Sequence, residues 1–415
     1  MTKIEDFKTL FNTLTLYREI LNDDLIKSLI KILDLITKEE NIDEVIKQWS
    51  NMVTPLYNKE YGADWTKYIN DLILFDKNYF TLQCASNNYC NINENILNAA
   101  KNDVGILTSL SKIKCSDFKD LLYFKFPYDK DIIDTLAAFD TICQTLSFDR
   151  IVNYHENNGV GIFAKYKAFK FLSNSEIEPI TNCDNVSLKD LKDYKREQNI
   201  VIENTLGFLK EKPYNNILLY GDRGTGKSST VKAILNEYSK DGLRLIQVYK
   251  ENLIHLDNLM QKISNIPLKF IIFIDDLTFN ENDDNFGALK AVLEGSVAKQ
   301  PDNMVLYATT NRRHLIKESF KAREGDEIHL ADTIDETISL SDRFGITITY
   351  SVPNKDKFLN IVKEIKEDRN IQISDEILFK GAERFALSKG NRSPRLAKQY
   401  IDYIQARLEL NLEIE

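Results

Sequence analysis

Eight consecutive residues, Gly221-Asp222-Arg223-Gly224-Thr225-Gly226-Lys227-Ser228, constrain what this chain can fold into more than any other stretch. They follow an apolar run, Ile217-Leu218-Leu219-Tyr220, and precede a helical pattern from Ser229 to Tyr238. Glycines at this spacing let backbone N–H groups curl round an anion at a helix N-terminus, whose dipole favours negative charge. A lysine and a hydroxyl after the last glycine can then reach phosphate oxygens and a divalent cation. Residues Gly221 through Ser229 are therefore the expected phosphate-binding set, with Ser228 also a metal ligand. A strand–loop–helix unit of this kind belongs in a sheet covered on both faces, which makes the expected fold class α/β.

The rest of the second half agrees with that expectation. Further apolar runs lie at Leu243–Val248, Phe270–Ile274, Met304–Ala308 and Ile346–Tyr350, and helical patterns separate most of them. Such alternation predicts a mainly parallel sheet, and after Pro353 the pattern is helical to the end. The third run ends in Asp275-Asp276, where a carboxylate at a strand's C-terminal end can hold a Mg²⁺ shell. Asp275 is assigned that role and Asp276 the orientation of an attacking water. The fourth run ends Ala308-Thr309-Thr310-Asn311-Arg312-Arg313, and Asn311 can hydrogen-bond both phosphate and water. Arg312 and Arg313 fit the site and the surface equally well, whereas His314 and His329 read as loop histidines. Glu294 is a spare carboxylate that reads as a solvated helix residue. Only Arg18, Arg150 and Arg196 precede residue 200, so the planar forks that hold phosphate or carboxylate bidentately crowd into the second half.

Together these residues resemble an AAA+ ATPase. The glycine loop, the Asp275-Asp276 strand end, Asn311, Leu340-Ser341-Asp342-Arg343-Phe344-Gly345 and Ser393-Pro394-Arg395 are similar, in order, to Walker A, Walker B, sensor 1, the arginine finger and sensor 2. The stretches Asn216–Ser229, Tyr307–His314 and Leu340–Gly345 further resemble an uncharacterised bacterial family of ATP-binding proteins, numbered 815 among the domains of unknown function. The resemblance runs from about Gly159 to about Leu408. It implies ATP and Mg²⁺ as cofactors, Asp276, Asn311, Arg343 and Arg395 as catalytic residues, and a homo-oligomer with shared ATP sites. Arg392 is the second choice for the sensor 2 position. Asp276 stands where Glu is more common in P-loop enzymes. It is shorter by one methylene, about 1.5 Å of reach, which puts the hydrolysis rate in question.

The expected domains are a helical region over 1–155 that could hold a partner, a linker and helix over 156–212, the P-loop α/β domain over 213–353, and a C-terminal helical lid over 354–415. In the first region Ile4, Phe7, Leu10, Phe11, Leu14 and Tyr17 share one helical face. Trp65–Leu74 and Ile132–Leu146 read as further helices, and Trp49, Tyr57 and Trp65 as core. Five cysteines with no C-x-x-C argue against a disulfide framework or a zinc module.

The charge sum of −9 argues against a general polyanion binder, so nucleic acid is not indicated as a partner. No run approaches the roughly 20 apolar residues of a membrane helix, and Met1–Phe7 carries acids where a targeting leader would be basic, so a cytoplasmic protein is expected. Three functions stay open: an ATPase that remodels or loads an unknown protein partner, a slow ATP-gated switch or adaptor, and a nucleic-acid or helicase loader.

Overall fold

The structure, a computed structural model, describes residues 3–38, 42–86, 89–279, 284–294, 300–311 and 343–413. The chain divides into two compact units, Met1–Lys165 and Tyr166–Glu415.

The first unit is built of helices, the longest being Asp24–Lys38 and Glu94–Leu110. In the former, Leu25, Leu29, Ile32, Leu33 and Ile36 are buried at three- and four-residue steps, the stripe that an amphipathic helix turns to a core. Trp49 and Trp65 are fully buried against Phe139, with ring centroids 6.1 and 4.9 Å away. Each indole N–H donates to a carbonyl, of Ala137 and of Leu110, so neither buried donor is left unpaired. Tyr57 departs from the expected core: it is 54% exposed, and its hydroxyl donates to the Ala138 carbonyl.

The helix expected over Ile132–Leu146 ends at Asp134. Beyond it, Asp140 exchanges backbone hydrogen bonds of 2.8 Å with Ala63 and Trp65. The Asp64 carboxylate accepts the amides of Ile142 and Cys143. These bonds occupy the backbone groups that a helix would have needed.

The second unit centres on a seven-stranded sheet of β1 (Ala168–Phe171), β2 (Ile177–Pro179), β3 (Ile217–Gly221), β4 (Leu243–Val248), β5 (Lys269–Ile274), β6 (Met304–Thr310) and β7 (Ile346–Tyr350). The strand order is β2-β1-β4-β5-β6-β3-β7. Among the described strands only the β1–β2 pair is antiparallel. All seven residues of β6 are buried, the run of a strand covered on both faces. Helices Lys195–Leu209 and Lys227–Tyr238 contribute Phe208, Val231 and Ile234 to the core over this sheet. Helices Lys355–Asp368, Asp375–Lys389 and Pro394–Glu409 form a C-terminal lobe with its own core around Phe358, Leu378 and Tyr400. This is an α/β fold, a mainly parallel sheet flanked by helices, with a C-terminal helical lobe.

The stretch 156–212 is more than the linker and helix expected. Residues 156–165 belong to the first unit, and β1 and β2 add an antiparallel pair to the sheet edge. The two strands are four and three residues long, and Lys170 and Glu178 interrupt their apolar pattern. No described helix is long and apolar enough to cross a membrane.

Candidate nucleotide site

Strands β5, β6 and β3 are neighbours and parallel, so their C-terminal ends share one edge of the sheet. Pairing of Ile274 with Ala308 and of Tyr220 with Thr310 brings Asp275, Asn311 and the glycine loop together there. The loop is held against the next strand as well. Gly221 has φ +137°, and a Cβ on it would overlap the carbonyl of Tyr350 at the end of β7, so only glycine fits. The Asp222 amide donates to that same carbonyl at 3.2 Å. Thr225 is buried, and its hydroxyl donates to the Asp222 carbonyl at 2.8 Å, closing the loop on itself. Gly226, with φ +97°, has open space where a side chain would lie. Asp222 and Arg223 are exposed on the loop, while Ser228 and Ser229 are half-buried in the first turn of helix Lys227–Tyr238.

Lys227 is only 6% exposed. Its ammonium donates to the carbonyls of Gly221 (2.7 Å) and Asp222 (2.8 Å) and to Asn311 Oδ1 (3.0 Å). All three acceptors are neutral, and among the described residues no carboxylate is in ion-pair contact with it. Burial pulls its pKa below the usual lysine range, against the smaller opposing pull of Asp222, Asp276 and Asp275. A buried cation resting on neutral oxygens beside an open glycine turn suits an anionic ligand.

On the other side, the Ser228 hydroxyl donates to Asp275 Oδ1 at 2.6 Å. The Thr309 hydroxyl donates to the same oxygen, also at 2.6 Å. Asp276 follows in the left-handed region, with φ +54°. Its amide donates to Thr309 Oγ1 at 3.0 Å, and its Oδ1 accepts from Asn311 Nδ2 at 2.6 Å. Asn311 thus bridges the ammonium and the second carboxylate with its two ends. A hydroxyl and a carboxylate side by side are hard oxygen donors of the kind Mg²⁺ takes alongside phosphate. The residues present therefore fit a nucleoside triphosphate with Mg²⁺: Gly221–Ser229 for the phosphates, and Ser228 with Asp275 for the metal.

The two lobe arginines differ. The backbone amide of Arg395 donates to the Gly224 carbonyl at 3.3 Å, and its positive charge is felt at Lys227, whose pKa it helps to lower. Arg392 instead forms a two-pronged pair with Glu383, at 3.0 and 3.3 Å. Arg343 lies three residues before β7, at the end of that strand opposite Tyr350 and the glycine loop. Arg312, Arg313, His314, His329 and Leu340-Ser341-Asp342 lie outside the described residues.

Thr309 and Tyr350 are site residues that the sequence reading did not single out. Two threonines closing an otherwise apolar run were the available signal for the first. For Tyr350 there was none, because its role is played by its carbonyl.

No curated protein matches the chain in sequence. Among solved structures, it is similar to the Thermotoga maritima RuvB Holliday junction branch migration motor, at 16% identity and a TM-score of 0.38, over 55% of this chain and 68% of that one. A point variant of the same Thermotoga maritima protein matches at 16% identity and a TM-score of 0.39, with the same coverage. The family model for "Protein of unknown function (DUF815)" matches residues 164–408, more than half of the chain, and the chain belongs to that family.

Proposed function

We propose that this protein is a Mg²⁺-dependent ATPase whose nucleotide state is passed to the helical lobe and to a protein partner held by the first unit. The observation that carries the reading is the meeting, at one sheet edge, of a buried ammonium, a hydroxyl–carboxylate pair and a second carboxylate tied to an amide. Lys227 would exchange its carbonyl acceptors for phosphate oxygens, and Ser228 and Asp275 would hold the metal. Bound Mg²⁺ would supply neutralisation of the charge developing on the β- and γ-phosphates. Asp276 would accept the proton of the attacking water, and Asn311 would orient that water against the phosphate.

Two substitutions test this reading by steady-state phosphate release and nucleotide titration. Asp275→Ala should abolish Mg²⁺-dependent hydrolysis, and Asp276→Asn should bind ATP and leave it uncleaved. Undiminished hydrolysis by Asp276→Asn would remove Asp276 as the base. A wild-type rate no higher than that of Lys227→Ala would sink the ATPase reading.

One observation favours a second reading, a slow ATP-gated switch. The Asp276 carboxylate is short, sits on a left-handed backbone and is already hydrogen-bonded to Asn311. If that reach limits the rate, Asp276→Glu speeds hydrolysis. Arg343 belongs to the proposal as a residue donated to a neighbouring subunit's site, which makes the working form a homo-oligomer.

A further inference from the structure

We propose that Thr309 is a positioning residue that sets both carboxylates of the Asp275-Asp276 pair, an inference that rests on the ATPase reading. Thr309 lies on β6, one residue past the pairing of Ala308 with Ile274, and so stands beside the turn that leaves β5. Every hydrogen-bonding group with which it faces that turn is used on it. The hydroxyl donates to Asp275 Oδ1 at 2.6 Å and accepts the Asp276 amide at 3.0 Å. The carbonyl accepts the Leu277 amide at 2.7 Å. One buried residue, 2% exposed, therefore holds three consecutive positions of the neighbouring strand end.

Two features make this more than ordinary strand packing. First, Asp276 has φ +54°, a conformation that is strained for a non-glycine residue and persists only where its surroundings hold it. The bonds from Thr309 to the amides of Asp276 and Leu277 bracket that residue. Second, Asp275 Oδ1 is shared by the hydroxyls of Ser228 and Thr309, which reach it from the loop helix and from β6. Thr309 thereby fixes how the metal-side carboxylate faces the Ser228 hydroxyl while aiming the next carboxylate toward Asn311. A serine could make the same bonds. A valine, equal in shape, could make neither of the two that use the hydroxyl.

The experiment compares wild type, Thr309→Val and Thr309→Ser in the full chain. ATP affinity is measured by titration with Mg²⁺ and with chelator, and phosphate release is followed across a Mg²⁺ series. Thr309→Val should keep the metal-free affinity and lose the tightening that Mg²⁺ brings. Its kcat should fall about 10- to 100-fold, the size expected for a hydrogen bond to a charged group, and more Mg²⁺ should be needed for half-maximal rate. Thr309→Ser should restore both properties. The inference is overturned if Thr309→Val keeps the Mg²⁺ tightening, if it loses metal-free binding as well, or if the serine fails to rescue. A wild type that tightens on ATP with Mg²⁺ yet releases no phosphate would end the ATPase reading alone, and the binding arms would still decide on Thr309. A wild type that binds no ATP in either condition overturns both.

Discussion

An ammonium sunk among neutral oxygens costs free energy to bury, and the lowered pKa of Lys227 has that burial as its largest cause. Such a residue contributes little to folding and much to a ligand that brings negative charge. Lys227→Ala should therefore leave the melting temperature unchanged or slightly raised, while ATP affinity falls about 10- to 100-fold, the range for charge-assisted hydrogen bonds. Calorimetry and titration read the two quantities; an unchanged dissociation constant would mean that phosphate binds elsewhere. At this scale much of the site was legible in the sequence. Lys227 and Ser228 follow from glycine spacing, and Asp275 and Asn311 from lying just past apolar runs that had to be parallel strands. Thr309 was not legible, because a β-branched hydroxyl in a strand reads as strand propensity until its neighbour across the sheet is known. Nor was the left-handed backbone of Asp276, which depends on that neighbour.

Elements show the same division between local pattern and tertiary partner. The five long apolar runs each became a strand, β3 to β7. The β1–β2 pair was not placed in the sheet, because strands of four and three residues carry too little periodicity. Helix Pro394–Glu409 starts where Ser393 and Pro394 say it should: the serine hydroxyl accepts the Leu396 amide, and the proline takes the first helical position. The sequence did not reveal that this start rests on the glycine loop. A side chain at Gly224 would come within 2.8 Å of Ser393 Oγ and 3.2 Å of Arg395 Cβ. That contact separates the two lobe arginines. Arg392 is committed to Glu383, whose pKa it holds below the usual glutamate range, and solvent screens a surface pair of this kind. Arg395 is docked by its backbone, and its exposed side chain adds positive charge at Lys227. Arg395→Ala keeps the backbone bond to Gly224 and should slow hydrolysis about 10-fold or more. Arg392→Ala should hydrolyse within about twofold of wild type, as befits a surface pair. Rates in the reverse order would make Arg392 the nucleotide-sensing residue.

At the scale of the whole molecule, the polarity of the sheet decides which residues one subunit can use on its own nucleotide. Strand β7 runs parallel to β3, with Ile346 beside Ile217 and Tyr350 beside Gly221. Its five residues span roughly 17 Å, and Arg343 precedes them, so its guanidinium starts at the far end of the strand from the loop. The turn that carries it is fixed there. Gly345, at φ +68°, packs so closely on Asn215 that a Cβ would lie 2.6 Å from its Oδ1, and the Ile346 amide donates to the Asn216 carbonyl. From that end of the sheet, the proposed role of Arg343 in phosphate chemistry would have to be played in a neighbouring subunit. If it is, Arg343→Ala should bind ATP as wild type does and hydrolyse it about 10³- to 10⁵-fold more slowly, the range known for arginine fingers. The decisive measurement mixes Arg343→Ala with Lys227→Ala. If the site is shared, each variant alone lacks one half of it, whereas in a mixed oligomer the intact glycine loop of one would meet the intact arginine of the other, and part of the activity should return. Full activity of Arg343→Ala alone, or a specific rate that stays constant on dilution to a monomer, would leave Arg343 as a residue of the sheet rim with no part in hydrolysis.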